Sequence, residues 1–126
     1  MAATVEERSR VRVRIQHAAV PARVDGVLLP ADQLALVRLA PGEMWLVLLL
    51  SPHSPFYARL AACAESEPTR LAVEPLSSHV DGERAPLRCM AEVSEIGRAE
   101  PGQVWARLTG DEAALVAQRL APGMHA

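Results

Sequence analysis

Met44-Trp45-Leu46-Val47-Leu48-Leu49-Leu50 is a continuous apolar run, bounded by Pro41-Gly42 before it and Ser51-Pro52 after it. A run this short falls far below the ~20 residues of a membrane helix. It has the character of a strand buried on both faces. Pro41-Gly42 supplies a turn back to Leu34–Leu39, a second stretch rich in Leu and Val. The two runs predict a hairpin from residues 34–39 to 44–50.

The rest of the chain is punctuated in the same way. Ala22 to Leu29 reads as strand with a turn near Asp25-Gly26, a strong hairpin signal. Ser51-Pro52-His53-Ser54-Pro55 breaks the sheet, and a short helix is expected over 56–64, with Ser54 as N-cap and Pro55 as a natural first helical residue. Thr69 to Leu76 is a strand with Leu71 and Val73 on one side, and Leu87 to Ile96 alternates with Leu87, Cys89, Ala91 and Val93 on one face. Val104 to Leu108 gives a further strand. Asp111 or Thr109 is placed to cap a last helix through Leu120, which Pro122-Gly123 stops.

The N-terminal segment carries two signals. Thr4-Val5-Glu6-Glu7 fits a capping box, and a helix from there places Val11, Ile15, Ala18 and Ala19 on one side. Arg10-Val11-Arg12-Val13-Arg14-Ile15 alternates as an exposed strand does. Helix is the expectation. The Arg row reads either as an anion-binding feature or as a solvated face, the commoner use of a charge run.

Strands joined by tight turns with helices in the gaps imply a mostly antiparallel sheet. The expected fold is β-rich α+β, a small antiparallel barrel of about six strands with two or three short helices, curled so that its edges are removed. Trp45, Leu46, Leu48, Leu71, Val73, Ala91 and Val93 are the expected core.

Composition sets the broad class. The 126 residues are half apolar and 22% charged, ordinary for one globular domain over residues 1–126. A net charge of −2 gives neither a basic footprint for nucleic acid nor a polybasic handle for membrane. All thirteen basic residues are Arg, and Lys and Asn are absent, the mark of a G+C-rich genome. Cys63 and Cys89 form no C-x-x-C pair and read as small buried hydrophobes. The acidic start, Met1 to Glu7, lacks the apolar region of a signal peptide, which favours a cytoplasmic protein.

Chemistry-bearing patterns are sparse. His17, His53, His79 and His125 show no metal-ligand spacing. No G-x-S-x-G, G-x-G-x-x-G or Walker-type loop occurs. Carboxylates are scattered from Glu65 to Asp111 in a manner that solubility explains.

The stretch Ser51-Pro52-His53-Ser54-Pro55-Phe56-Tyr57-Ala58-Arg59-Leu60, followed by Thr69-Arg70-Leu71-Ala72-Val73, resembles the flavin-binding split barrel of pyridoxamine-phosphate oxidase-like and haem-utilisation-like proteins. Arg84 to Gly97 is similar to the strand that ends in Gly in those families. The layout of residues 4–120 most resembles actinobacterial members of unassigned function, without the small second helical domain that many carry. The resemblance implies a strand ending in a Ser-containing turn, a short helix, and a strand that pairs back. In flavin-binding members a Lys two residues after the turn Ser holds the cofactor phosphate, and haem-utilisation-like members have a His at a similar place. Here that place is Phe56, which has neither charge nor donor. The candidate cofactor-binding residues that remain are Ser54, Arg59, Arg70 and Arg88, and flavin mononucleotide is expected to bind no tighter than the micromolar range. Flavin and haem both stay open as cofactors and neither is favoured.

Two functions compete on these grounds. The first is a non-catalytic, homodimeric structural or interaction module. The second is a flavin- or haem-binding protein with its ligand in the dimer cleft, an oxidoreductase in its strongest form. Split barrels pair through the barrel wall, and Met44–Leu50 offers more apolar surface than one small barrel is expected to bury, which marks an interface.

Overall fold

The computed structural model of the chain describes residues 14–64, 69–76, 87–98 and 100–123. Eight strands form one sheet: β1 (Arg14–His17), β2 (Ala22–Val24), β3 (Val27–Leu29), β4 (Leu34–Ala40), β5 (Glu43–Leu49), β6 (Arg70–Pro75), β7 (Cys89–Ile96) and β8 (Gln103–Thr109). Two α-helices, α1 (Pro55–Ala64) and α2 (Ala113–Leu120), and a 3-10 turn at Ala31–Gln33 complete the described elements. The strand order is β1-β4-β5-β8-β7-β6-β2-β3, and every pairing is antiparallel.

The β-rich α+β class expected from the sequence is the class observed, but six strands become eight. Residues 22–29 are two strands around Asp25-Gly26, whose positive φ angles of 54° and 84° suit an Asp-Gly hairpin turn. Arg14–His17 is strand and not helix. Its backbone pairs with Arg38 to Ala35 of β4, so the tertiary ladder overrides the local helix signal. The capping box at Thr4 and Glu7 lies outside the described residues, as do the loop 77–86, His79 and His125. Val93 is only half-buried, because a register irregularity between Val93 and Glu95 turns the strand there.

The connection between β1 and β2 forces the sheet to roll. The two strands sit six places apart in the sheet order, roughly 29 Å across a flat sheet at ~4.8 Å per strand. The chain from His17 to Ala22 crosses five residue steps, about 18 Å when fully extended. Only a curled sheet brings the ends that close. Among the described residues the ring is nevertheless not closed by hydrogen bonds: β1 and β3 are its two edges, in contrast to the closed barrel expected.

The inside of the curl is the main core. Alternate residues of the strands point into it, including Leu34, Leu36, Leu46, Leu48, Leu71, Val73, Ala91, Val104 and Ala106. Helix α2 adds Val116, Ala117 and Leu120, and α1 adds Phe56 and Leu60. Neither Asp111 nor Thr109 caps α2. Glu112 is its N-cap residue and makes no side-chain cap bond, while the Thr109 hydroxyl donates to the Met90 carbonyl at 3.2 Å.

Glycine is required at two close approaches. Gly102, at φ +91°, lies so near the Leu50 carbonyl that a Cβ would overlap backbone; the Gly102 carbonyl in turn accepts from the Leu50 N–H at 3.1 Å. Gly97, at φ +69°, leaves its Cβ space to the Tyr57 hydroxyl of α1.

Candidate functional site

The four residues suggested as cofactor contacts have ordinary local duties. Ser51 to Ser54 form a turn in which the Ser54 N–H donates to the Ser51 carbonyl at 3.0 Å. The Ser54 hydroxyl oxygen accepts the Tyr57 N–H at 3.1 Å and its carbonyl accepts the Ala58 N–H. This is an N-cap bond to the third helical residue, one of the orphan donors of a helix start. Pro55 follows as the first helical residue, where a missing N–H costs nothing. Phe56 turns inward, so the place of the Lys or His in the resembling families is filled by a buried ring.

Arg59 is exposed on α1. Its guanidinium stands 3.6 Å from the Asp25 carboxylate and 5.0 Å from the centre of the Phe56 ring. Both charged side chains are about half exposed, so water screens the pair. Arg70 is exposed at the start of β6, directly opposite Glu92 of β7, which in turn lies opposite Arg107 of β8. The result is a cross-strand Arg-Glu-Arg row in which each cation faces an anion. Arg88, also exposed, precedes β7. Strand alternation puts it on the same side of the sheet as Glu92, four residues on. Arg70 and Arg88 thus share a face, but their backbones stand about 14 Å apart by strand spacing, with Met90 and Glu92 between them along β7.

His17 and His53 are both exposed, on β1 and in the turn before α1. Among the described residues no three His, Cys, Asp or Glu side chains are grouped to hold a metal, and no helix is long and apolar enough to cross a membrane. Cys63 is exposed, contrary to the buried role expected of it, and Cys89 is buried. Burial, with the Glu112 charge second, pushes the Cys89 thiol up to about 11. An open depression of about 490 Å³ lies between α2 and the lead-in to β7, lined by Leu87, Leu115, Gln118, Arg119 and Pro122.

The feature that sequence reasoning under-read is the outer face of the sheet. On β4 and β5 most residues pointing away from the main core are also apolar, and β8 adds Trp105, flanked by outward Gln103 and Arg107. Ala35, Val37, Trp45 and Val47 form a second cluster, bordered by half-buried Leu39, Leu49 and Trp105. The register aligns Ile15, Val37 and Trp45 in one row and His17, Ala35, Val47 and Trp105 in the next. The two indoles are diagonal neighbours with ring centres 6.5 Å apart and planes tilted by 57°, within the range of favourable aromatic pairing. The Trp45 indole N–H donates to the Glu43 carboxylate at 2.8 Å and that of Trp105 to the Gln103 side-chain oxygen at 3.3 Å. Each indole thereby keeps a polar tip at the margin and an apolar body on the face. The signal for this face was in the sequence: Met44–Leu50 and Leu34–Leu39 have no polar alternation apart from Arg38.

The other half of the sheet differs. Outward positions on β2, β6 and β7 include Arg23, Glu74, Arg70 and Glu92, with Arg23 directly opposite Glu74. The outer surface is therefore apolar over β4 and β5 and charged from Arg107 of β8 onward to β2. No family model, curated protein or solved structure matches this chain.

Proposed function

We propose that this protein is a non-catalytic interaction module whose working surface is the apolar outer face of β4 and β5 with Trp105 of β8, and whose partner is a second copy of the chain. The observation that carries this reading is the second apolar cluster, on the side of the sheet away from the main core. A sheet needs one apolar face to fold; a second has to be packed against another layer. Met44–Leu50 is largely buried within a single chain, so it leaves no bare patch of its own. The open part of the surface is its margin: Ile15, 63% exposed on edge strand β1, and half-buried Leu39, Leu49 and Trp105 at other points around the cluster.

A two-fold pairing suits such a margin, because an isologous contact brings each apolar strip onto its own copy. On this reading the fold is a split-barrel relative that keeps the rolled sheet and the dimer. The cofactor turn has become a structural helix start, in which Ser54 caps and Phe56 packs.

Light scattering over a concentration series tests the proposal. A mass rising to about twice 13.6 kDa is expected, and Ile15→Asp should shift the association to at least tenfold higher concentration. A mass that stays at the monomer value to hundreds of micromolar would refute it. The absorption spectrum of the purified protein tests the flavin or haem alternative: a yellow or red protein with a stoichiometric visible band would replace the present reading.

A further inference from the structure

The charged part of the outer sheet carries an ordered pattern. Arg70 of β6 lies opposite Glu92 of β7, and Ala72 opposite Met90. Val73 lies opposite Cys89, so one step further along Glu74 falls beside Arg88. These six residues point away from the main core, which takes their neighbours Leu71, Val73, Cys89 and Ala91. The four charges stand at the corners of a block about 4.8 Å across the strands and about 13 Å along them. Each Arg has a Glu beside it on the next strand and another Glu four residues along its own strand. Arg70 and Arg88 are exposed and Glu74 and Glu92 half-buried; among the described residues none of the four closes an ion pair. Met90, 43% exposed, occupies the middle of the block with Ala72 beside it.

Such a block is complementary to itself. A two-fold axis laid along the Ala72–Met90 row, at right angles to the strands, turns a second copy over onto the first and exchanges the two ends of each strand. Arg70 then meets the partner's Glu74, and Arg88 meets the partner's Glu92. The symmetry repeats both pairs, so every charge meets its opposite, and Met90 meets its own counterpart on the axis. A block of uniform sign laid on its own copy would repel it. Sheets packed face to face stand about 10 Å apart with strand directions within about 30°, a gap that Arg and Glu side chains span from opposite sides while Met90 fills its centre.

We infer that the outer face of β6 and β7 is a second contact surface for a copy of this chain, specified by charge and separate from the apolar face of β4 and β5. The contact is isologous. It goes beyond the apolar reading and does not rest on it.

The test is light scattering of the full chain carrying Ile15→Asp, which disables the apolar contact. This parent should self-associate in low salt, and association should weaken at least tenfold between about 0.02 and about 0.5 M ionic strength, because exposed charges are screened. Arg70→Glu/Glu92→Arg exchanges one row. Net charge and the cross-strand pairing within the block are kept, but each charge now meets its own sign across the axis, and association should weaken at least tenfold. Exchanging the other row as well, by Glu74→Arg/Arg88→Glu, inverts the whole block and should restore association to within threefold of the parent. A parent that stays monomeric at hundreds of micromolar in low salt overturns the inference. So does a one-row exchange that associates like the parent, or a two-row exchange that does not recover. Should an exchanged variant fail to melt cooperatively, Met90→Arg at its exposed site serves instead: two cations on the axis should weaken association at least tenfold, and unchanged association overturns the inference. The apolar reading is judged separately, by whether Ile15→Asp weakens association at high salt, so the failure of either leaves the other standing.

Discussion

Gly102 and Gly110 have nearly the same backbone conformation, φ +91° and +92°, but different surroundings. A Cβ at Gly110 meets nothing within 4 Å; one at Gly102 overlaps the Leu50 carbonyl and approaches the Leu50 carbonyl carbon at 3.0 Å and the Pro52 nitrogen at 3.1 Å. Alanine at either site must adopt a left-handed conformation costing about 1–2 kcal/mol, offset by about 0.4–1 kcal/mol from a less flexible unfolded chain. Gly110→Ala should therefore destabilise by only about 1 kcal/mol. Gly102→Ala adds a collision with backbone, which cannot rotate away as a side chain can, and forced shifts of this kind cost about 1–3 kcal/mol more. The expected total is about 2–4 kcal/mol. The displaced backbone belongs to the β5–α1 junction, which is tied to Gly102 by the Leu50 N–H bond. Urea unfolding of the two variants, with unchanged slopes, gives both values on one scale. Equal losses would mean that the chain at 100–102 does not press on Leu50, and the packing of the β7–β8 turn against the end of β5 would be wrong.

Leu48 is fully buried and faces Leu34 and Val104 on the adjoining strands; Leu48→Ala should cost about 2–5 kcal/mol in denaturant unfolding, and an unchanged midpoint would show the strand misplaced. Ser54→Ala removes the cap bond to Tyr57 and should lower stability by about 1 kcal/mol, with Ser54→Asp retaining most of it. At pH 8 a thiol reagent should modify exposed Cys63 promptly and buried Cys89 only on unfolding; two equally fast thiols would contradict the burial of Cys89. Because the folded Cys89 thiol is raised from 9.0 to about 11, the unfolded chain releases its proton first. Stability should thus fall between pH 9 and 11, and the Cys89→Ala variant should show a shallower fall.

Much of the fold was legible because several of its signals are local. The Asp25-Gly26 turn, the Ser54-Pro55 helix start, the hairpin across Pro41-Gly42 and the alternation of Leu71 and Val73 each depend on a few neighbouring residues. All four stand in the structure. Arg14–His17 was misjudged because Thr4-Val5-Glu6-Glu7 favours helix locally, while its strand identity comes from pairing with Ala35 to Arg38, about twenty residues away. The candidate anion contacts were legible only in part for a related reason. Ser54 and Arg59 are five residues apart and their helix is readable, but whether Arg70 and Arg88 meet depends on the register of β6 against β7.

The sequence by itself determined that this chain builds an antiparallel sheet with a doubly apolar centre, since Leu34–Leu39 and Met44–Leu50 have too few polar residues to face water on either side. Only the tertiary structure decided how the sheet closes. The short link from His17 to Ala22 draws β1 toward β2 and rolls the sheet without joining its edges. Rolling divides the apolar residues into an inner set around Leu46 and Leu48 and an outer set around Val37 and Trp45. Alternation along a strand assigns residues to two opposite faces, but the curvature of the whole sheet determines which face becomes the core.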